Sequence, residues 1–180
     1  MYGIVNKAIE ELVTENFGAK AWEDVKKESG IDIDYFLSNE PYDDAITYQL
    51  AIAASKTLDM PLDNVLIAFG EFWVLNTGKK KYGALMQAGG SNLKEFLINL
   101  PNFHARVSLI YPKLAPPEFK VTDIEENGLH LHYFSHRPGL KEFVRGLIQG
   151  LGKMYEVAVN IDILQSRDEG STHEVYAISW

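Results

Sequence analysis

The stretch LHLHYFSHRPG, at residues 129–139, concentrates side chains that could bind a metal ion or an anion. It holds three of the chain's five histidines, together with a tyrosine, a serine and an arginine. Successive side chains of a β-strand point to opposite faces. One face would carry Leu129, Leu131, Tyr133, Ser135 and Arg137, and the other His130, His132, Phe134 and His136. The leucines mark the first face as the inward one, so its Tyr, Ser and Arg are predicted to point into the protein.

Arg137 has two interpretations at this position. A guanidinium group is a planar fork that binds a carboxylate or phosphate through two hydrogen bonds. Without an anionic partner, its burial beside apolar residues would be very costly. Arg137 therefore either binds an anionic ligand or pairs with a structural carboxylate such as Asp43 or Asp44, and spacing alone does not choose between them. The histidines of the other face are expected to be solvated, since three histidines with no Asp, Glu or Cys between them are a weak zinc signal.

His104 differs from the other histidines because it lies on the apolar stripe of a predicted helix. The stripe recurs at three- and four-residue steps and comprises Leu93, Phe96, Leu97, Leu100, His104 and Val107. His104 is either a core histidine bonded to a backbone carbonyl or a proximal ligand to haem iron. In the second case the inward Tyr, Ser and Arg would hold the haem propionates. The chain has no cysteine, which excludes thiolate ligation and covalent attachment through C-x-x-C-H.

These residues must be positioned by an α+β domain, for which 180 residues are sufficient. Helices are predicted over residues 3–17, 21–29, 46–58, 61–78, 91–112 and 138–154. The fourth of these closes at Gly78, which leaves Lys79, Lys80 and Lys81 in a loop, and Pro101 kinks the fifth or starts a new helix. Residues 118–124 and 129–135 read as an antiparallel hairpin, and residues 156–164 and 172–180 as a second strand pair. Gly146 and Gly150, four residues apart, permit close helix packing.

Charge and hydropathy exclude several classes of protein. The net charge is −8, which argues against a nucleic-acid binder because that function needs a basic surface. The most apolar run, residues 65–75, contains Glu71 and is too short to span a bilayer. The N-terminus acquires glutamates early, unlike a secretory signal. A single cytoplasmic domain, free of membrane and nucleic acid, is the expectation.

The chain resembles the haem–nitric oxide/oxygen binding (H-NOX) family, bacterial relatives of the haem domain of soluble guanylate cyclase. The family's Y-x-S-x-R motif stands at Tyr133, Ser135 and Arg137, its histidine at His104 in NLPNFHARV, and its PP pair at Pro116 and Pro117. The resemblance runs from MYGIVNKAIEELV to the last strand. It implies a helical N-terminal lobe and a C-terminal lobe with a four-stranded antiparallel sheet and helices.

The resemblance also implies a cofactor and the residues around it. The cofactor is a non-covalent b-type haem with His104 as its only protein ligand to iron. Tyr133, Ser135 and Arg137 would bind the propionates, Asp44 would orient Arg137, and Pro117 would press on the haem from the proximal side. On the gas side, the residue matching the tyrosine of oxygen-holding relatives is Phe143, which has no donor. The other gas-side residues implied are Trp73, Leu147, Ile4 and Val5.

From this resemblance we expect a sensor, with no catalytic residue, that binds NO and CO and excludes O2. Weakening of the His104 bond by NO would release its helix and signal to a partner, either a histidine kinase or a cyclic-di-GMP enzyme. The indole N–H of Trp73 leaves an oxygen-binding sensor as an alternative. A haem peroxidase or NO-oxidising enzyme is a further alternative, but it needs a distal acid–base group that the sequence does not provide. A plain haem carrier or a haem-free binding module remains a last alternative.

Overall fold

A computed structural model describes all 180 residues, and its elements form two lobes. The helices are α1 (Gly3–Phe17), α2 (Ala19–Ser29), α3 (Asp44–Thr57), α4 (Leu62–Phe72), α5 (Lys79–Gln87), α6 (Leu93–Ile110) and α7 (Lys141–Met154). The strands are β1 (Glu118–Thr122), β2 (Gly128–Phe134), β3 (Asn160–Gln165) and β4 (Glu174–Ser179). The predicted α+β class is confirmed. None of the helices combines the length and the apolar character needed to cross a bilayer.

The N-terminal lobe is a set of helices around its own apolar core. That core includes Ile9 of α1, Val25 of α2, Leu50 of α3 and Phe69 of α4, all buried. The Asp43 carboxylate caps α3 by accepting a hydrogen bond of 2.8 Å from the Ala45 amide. The three helices predicted within residues 3–58 are confirmed with ends shifted by a few residues, and the fourth, predicted over residues 61–78, is confirmed as α4 as far as Phe72.

The end predicted for the fourth helix, at Gly78, is wrong. Residues Trp73–Gly78 form a π-helical turn, and α5 follows without a break, so Lys79, Lys80 and Lys81 lie in a helix and not in a loop. A glycine ends a helix when its backbone adopts the left-handed conformation. Gly78 instead keeps a helical φ of −61°, so the helix continues through it. The wider π turn advances each side chain less around the axis than an α turn does, and residues 73, 74 and 78 all border the cavity described below.

The C-terminal lobe is a four-stranded antiparallel sheet in the order β1-β2-β4-β3, with α6 and α7 against it. Both predicted hairpins are confirmed by pairings such as Phe119 with Tyr133 and Ile161 with Ile178. Five strand ends were predicted too long, namely the C-terminal ends of β1 and β2, the start of β3 and both ends of β4. β1 stops at Thr122 because Asp123 has a left-handed φ of 49°, β3 starts at Asn160, and His173 lies just before β4.

The two lobes are joined where α4 crosses α7. A methyl group on Gly146 would collide with the Ile67 carbonyl oxygen, and one on Gly70 with the Phe143 carbonyl oxygen. A Cβ on Gly150 would lie 2.9 Å from Cβ of Val74. The close packing predicted for the α7 glycines is thus confirmed, and it places Phe143 beside the π-helical turn.

α6 is continuous through Pro101, so the alternative that a new helix starts there is wrong. Asn92 caps its first turn, with the side-chain oxygen accepting from the Glu95 amide at 2.9 Å. Leu97 and Leu100 face the core, and His104 follows them on the same stripe.

Candidate functional site

An apolar cavity of about 250 Å³ lies between α6, α7, the inner face of the sheet and the start of α1. Of its 31 lining residues, 25 are hydrophobic. The ten residues predicted from the sequence all line it, namely Ile4, Val5, Trp73, His104, Pro117, Tyr133, Ser135, Arg137, Phe143 and Leu147. The fold therefore brings together residues that are separated by up to 143 positions in the chain.

His104 contributes an imidazole to the cavity wall. Its Nδ1 lies 3.0 Å from the Leu100 carbonyl oxygen, one helical turn back. A carbonyl oxygen can only accept, so Nδ1 carries the hydrogen and Nε2 keeps a free lone pair. Burial lowers the pKa of His104, against the opposing effect of the bond to Leu100. The ring also contacts Phe103 and Phe119, with centroids 5.5 and 5.1 Å away. The result is a neutral imidazole with one available nitrogen.

Arg137 stands at the polar mouth of the same cavity. Its Nε donates to Oδ2 of Asp44 at 2.7 Å, and its Nη1 donates to the Ala115 carbonyl at 2.8 Å. Of the two carboxylates considered from the sequence, Asp44 is the partner, while Asp43 caps α3. Burial would raise the pKa of Asp44, but hydrogen bonds from the N-terminal ammonium and from Arg137 hold it below its ordinary value. Pairing with Asp44 leaves N–H groups of the guanidinium free for an anionic ligand.

Tyr133 and Ser135 line the cavity beside Arg137, but they do not share one strand with it. β2 ends at Phe134, so the strand alternation predicted through Arg137 holds only to Tyr133. Beyond that point the chain forms a turn in which the Arg137 amide donates to Oγ of Ser135 at 3.1 Å. Burial raises the pKa of Tyr133, so its hydroxyl stays protonated and can donate. The turn, rather than the strand, directs Ser135 and Arg137 inward.

The opposite wall is formed by side chains that make few polar contacts. Phe143 of α7 packs on Phe69 with ring centroids 4.9 Å apart, and Phe69 meets Trp73 edge-on at 6.4 Å. Ile4 of α1 is buried, and Leu147 packs against the same core. No carboxylate lines any part of the cavity.

The outer-face histidines lie away from the cavity and are more connected than predicted. His130 Nδ1 is 2.9 Å from Asp123, and His132 lies 2.9 Å from both Thr122 Oγ1 and His173 Nε2. Among these histidines His136 is exposed, whereas His130, His132 and His173 are half-buried. No group of three or more His, Cys, Asp or Glu side chains in the chain is arranged to hold a metal ion.

Two polar contacts near the cavity were not anticipated from the sequence. Arg167 pairs with Glu174 and donates to the backbone of the turn at residues 135–137. The signal for this pair was present, because Glu174 is in phase with the inward-facing Tyr176 and Ile178 of β4 and a buried carboxylate needs a cation. Tyr82 donates to the Tyr111 hydroxyl at 2.7 Å across the cavity wall, a contact with no local sequence signal.

Comparison with known proteins points to one family. The model of the family described as "Haem-NO-binding" matches residues 2–163. The soluble guanylate cyclases gcy-32 and gcy-34 of Caenorhabditis elegans are 29% and 30% identical to this chain over 96% of its length. The chain covers only 26% of each of those proteins.

Solved structures share the fold over almost the whole chain. An H-NOX protein from S. oneidensis in the Fe(II)NO ligation state superimposes with a TM-score of 0.89 at 19% identity, covering 99% of this chain and 98% of that one. An Fe(II) unliganded H-NOX protein from K. algicida gives a TM-score of 0.86 at 22% identity, with 99% and 96% covered. The architecture is therefore the H-NOX fold.

Proposed function

The chain belongs to the haem-NO-binding family of gas-sensor domains, and from this premise we propose that it senses NO at a ferrous b-type haem. The proposal extends to CO as a second ligand, to exclusion of O2, and to control of a partner signalling protein. The observation that carries it is the composition of one cavity. It combines an imidazole with a free nitrogen, an arginine with unused N–H groups and an otherwise apolar lining.

Haem b has an apolar ring, an iron centre and two carboxylates. The cavity offers an apolar lining for the ring, the His104 imidazole for the iron and the Arg137 guanidinium for the carboxylates. His104 would bind the iron through Nε2, since Nδ1 is held by the Leu100 carbonyl. Arg137, Ser135 and Tyr133 would hold the propionates as charged and neutral donors. Pro117 lies in the cavity wall between α6 and β1, where we propose that it presses on the proximal face. Without cysteine, thioether attachment of the haem is not available to this chain.

Ligand choice is proposed to follow from the gas-side wall. Bound haem supplies a ferrous iron at which diatomic gases bind, and a nearby donor favours O2. Phe143, Leu147, Ile4 and Val5 offer no donor. Trp73 is the one residue of this set with an N–H, which is why an oxygen-binding sensor stays the second candidate.

An enzymatic role has less support from the same cavity. Peroxide chemistry needs a group that moves a proton between two oxygens. The cavity contains no carboxylate, and its one histidine is the residue proposed as the iron ligand. We therefore propose a sensor rather than a peroxidase or an NO-oxidising enzyme.

Signal output is proposed to pass through α6. His104 would join this helix to the cofactor, so the position of α6 would depend on whether that bond is held or released. α6 also contacts β1 and α5, so a shift of α6 would be felt by both elements. The receiver we propose is a histidine kinase or a cyclic-di-GMP enzyme.

The proposal is tested by His104→Gly, with imidazole supplied in solution to replace the missing side chain. We expect loss of the proximal ligand in the ferrous absorption spectrum and its recovery with imidazole. His130→Gly, on the outer face of β2 and away from the cavity, is the matched control and should retain the parent spectrum. If His104→Gly takes up haem and responds to NO as the parent does, His104 is not the ligand.

A further inference from the structure

We propose that Arg167 is the positioning residue of the haem-propionate site, a role that rests on the function proposed above. Arg167 does not line the cavity and would not touch the cofactor. It acts through the turn that presents Ser135 and Arg137, by fixing the backbone of that turn to a buried carboxylate.

The guanidinium of Arg167 donates hydrogen bonds to two backbone carbonyls of the turn at residues 135–137. Nη1 donates to the Ser135 carbonyl at 2.7 Å, and Nη2 donates to the Arg137 carbonyl at 2.9 Å. The two carbonyls lie beyond the last ladder pairs of β2, which are Glu118 with Phe134 and Tyr133 with Glu174. Arg167 thus donates hydrogen bonds to the backbone carbonyls that follow the last residue of β2 and have no partner strand.

Glu174 fixes the orientation of the Arg167 fork. The Nε of Arg167 donates to the two carboxylate oxygens at 2.8 and 2.9 Å. Glu174 is only 2% exposed, so its charge is buried and its pairing with Arg167 is directional. Because Glu174 sits opposite Tyr133 in the ladder, the carboxylate is tied to the strand that carries the third propionate-binding residue.

Arg167 itself is held at the start of a short 3₁₀ helix, Arg167–Glu169, in the β3–β4 connection. Ser166 is only 2% exposed, and its Oγ caps that helix by accepting a hydrogen bond of 3.2 Å from the Asp168 amide. The clamp therefore links three segments of the chain, namely the β3–β4 connection, the start of β4 and the turn after β2. Its consequence is that Arg137 is presented to the cavity before any ligand arrives, which reduces the ordering cost of binding.

The test measures haem loss from the holoprotein to an excess of a haem-scavenging protein, for native haem and for haem dimethyl ester. The ester has no propionate charge, so it does not depend on the Arg137 site. Arg167→Ala should lose native haem about tenfold faster than the parent, the effect of weakening one or two charged hydrogen bonds. Its loss of the ester should match that of the parent. Asp168→Asn breaks the neighbouring Lys141–Asp168 pair on the same 3₁₀ helix and should behave as the parent does with both haems.

The comparison of the two haems separates positioning from general destabilisation. Equal acceleration for both haems, or no acceleration for either, would overturn the proposal. Where Arg167→Ala does not fold, Arg167→Lys replaces it, because lysine keeps the charge near Glu174 but cannot bridge both carbonyls. The ratio of the rate of native haem loss to the rate of ester loss then tests the proposal in the same way. If the parent itself loses both haems at the same rate, the propionate site of the proposed function fails. If Arg137→Ala shows the selective effect and the Arg167 variants do not, only the positioning role fails.

Discussion

The polar mouth of the cavity and its gas-side wall are built in different ways. At the mouth, directional hydrogen bonds from separate elements fix one side chain, because Arg137 is joined to Asp44 of α3 and to the Ala115 carbonyl, and its backbone is joined to Arg167. At the wall proposed to face the gas, Phe143 and Trp73 are positioned by packing against Phe69, which lies behind them. Recognition of an anion needs oriented charge, whereas selection among small gases needs shape and the absence of donors. The following variants alter one region while sparing the other.

Arg137→Ala should have the largest effect, because it removes the guanidinium proposed to bind the propionates at the mouth. We expect the rate of haem loss to rise about 100-fold, since two charge-assisted hydrogen bonds are lost at roughly 1.5 kcal/mol each. Transfer of haem to a scavenger protein, followed by absorbance, measures this rate. Arg106→Ala, on the exposed side of α6, is the control for a generic loss of charge. A variant that retains haem as long as the parent contradicts the clamp.

Phe143→Tyr should have the next largest effect, confined to the gas-side wall. A hydroxyl in the apolar cavity would donate to bound O2, and one such bond is worth about 1 kcal/mol, or roughly fivefold in oxygen affinity. Oxygen titration of the ferrous protein measures it, with haem loss as the internal control because the mouth is untouched. An oxygen affinity equal to that of the parent would show that residue 143 does not face the ligand.

Asp44→Asn should have a smaller effect that depends on pH. The pKa of Asp44 is held below its ordinary value of 3.8, so its pairing adds stability above pH 3.8 that is lost as pH falls through the folded value. Because Asp44 is partly exposed, the variant should lose up to about 1 kcal/mol of unfolding free energy at pH 7. Its unfolding free energy should also fall less steeply than that of the parent as the pH is lowered. Urea unfolding at a series of pH values measures this, with the exposed Asp32→Asn as control. If the unfolding free energy of the variant falls with pH as steeply as that of the parent, protonation of Asp44 does not control the acid stability of the protein.

Trp73→Phe should have the smallest effect of the set. The substitution keeps an aromatic ring against Phe69 and removes only the indole N–H. If Trp73 does not donate to the ligand, the oxygen response of the variant equals that of the parent. A parent that binds O2 and a variant that does not would identify Trp73 as the donor and favour the oxygen-sensor alternative.

The sequence predicted those parts of the fold that depend on short-range periodicity. The alternation of Leu129, Leu131 and Tyr133 predicted the inner face of β2, and the helical stripe through Leu100 placed His104 in the cavity wall. The π-helical turn at Trp73–Gly78 was missed because its pattern over a few residues is that of an ordinary helix. Arg167 was missed because its partners, Ser135, Arg137 and Glu174, are brought together only by the strand order of the sheet. Family resemblance supplied the roles of individual residues, which remain predictions.

The central claim is tested most directly by the visible absorption spectrum of the haem-reconstituted ferrous protein, recorded before and after NO, with a second sample opened to air. We expect a five-coordinate ferrous spectrum that shifts with NO and does not change in air apart from slow oxidation. A stable oxygen complex would contradict the selectivity proposed for the gas-side wall. Failure to take up haem would contradict the assignment of the cavity itself.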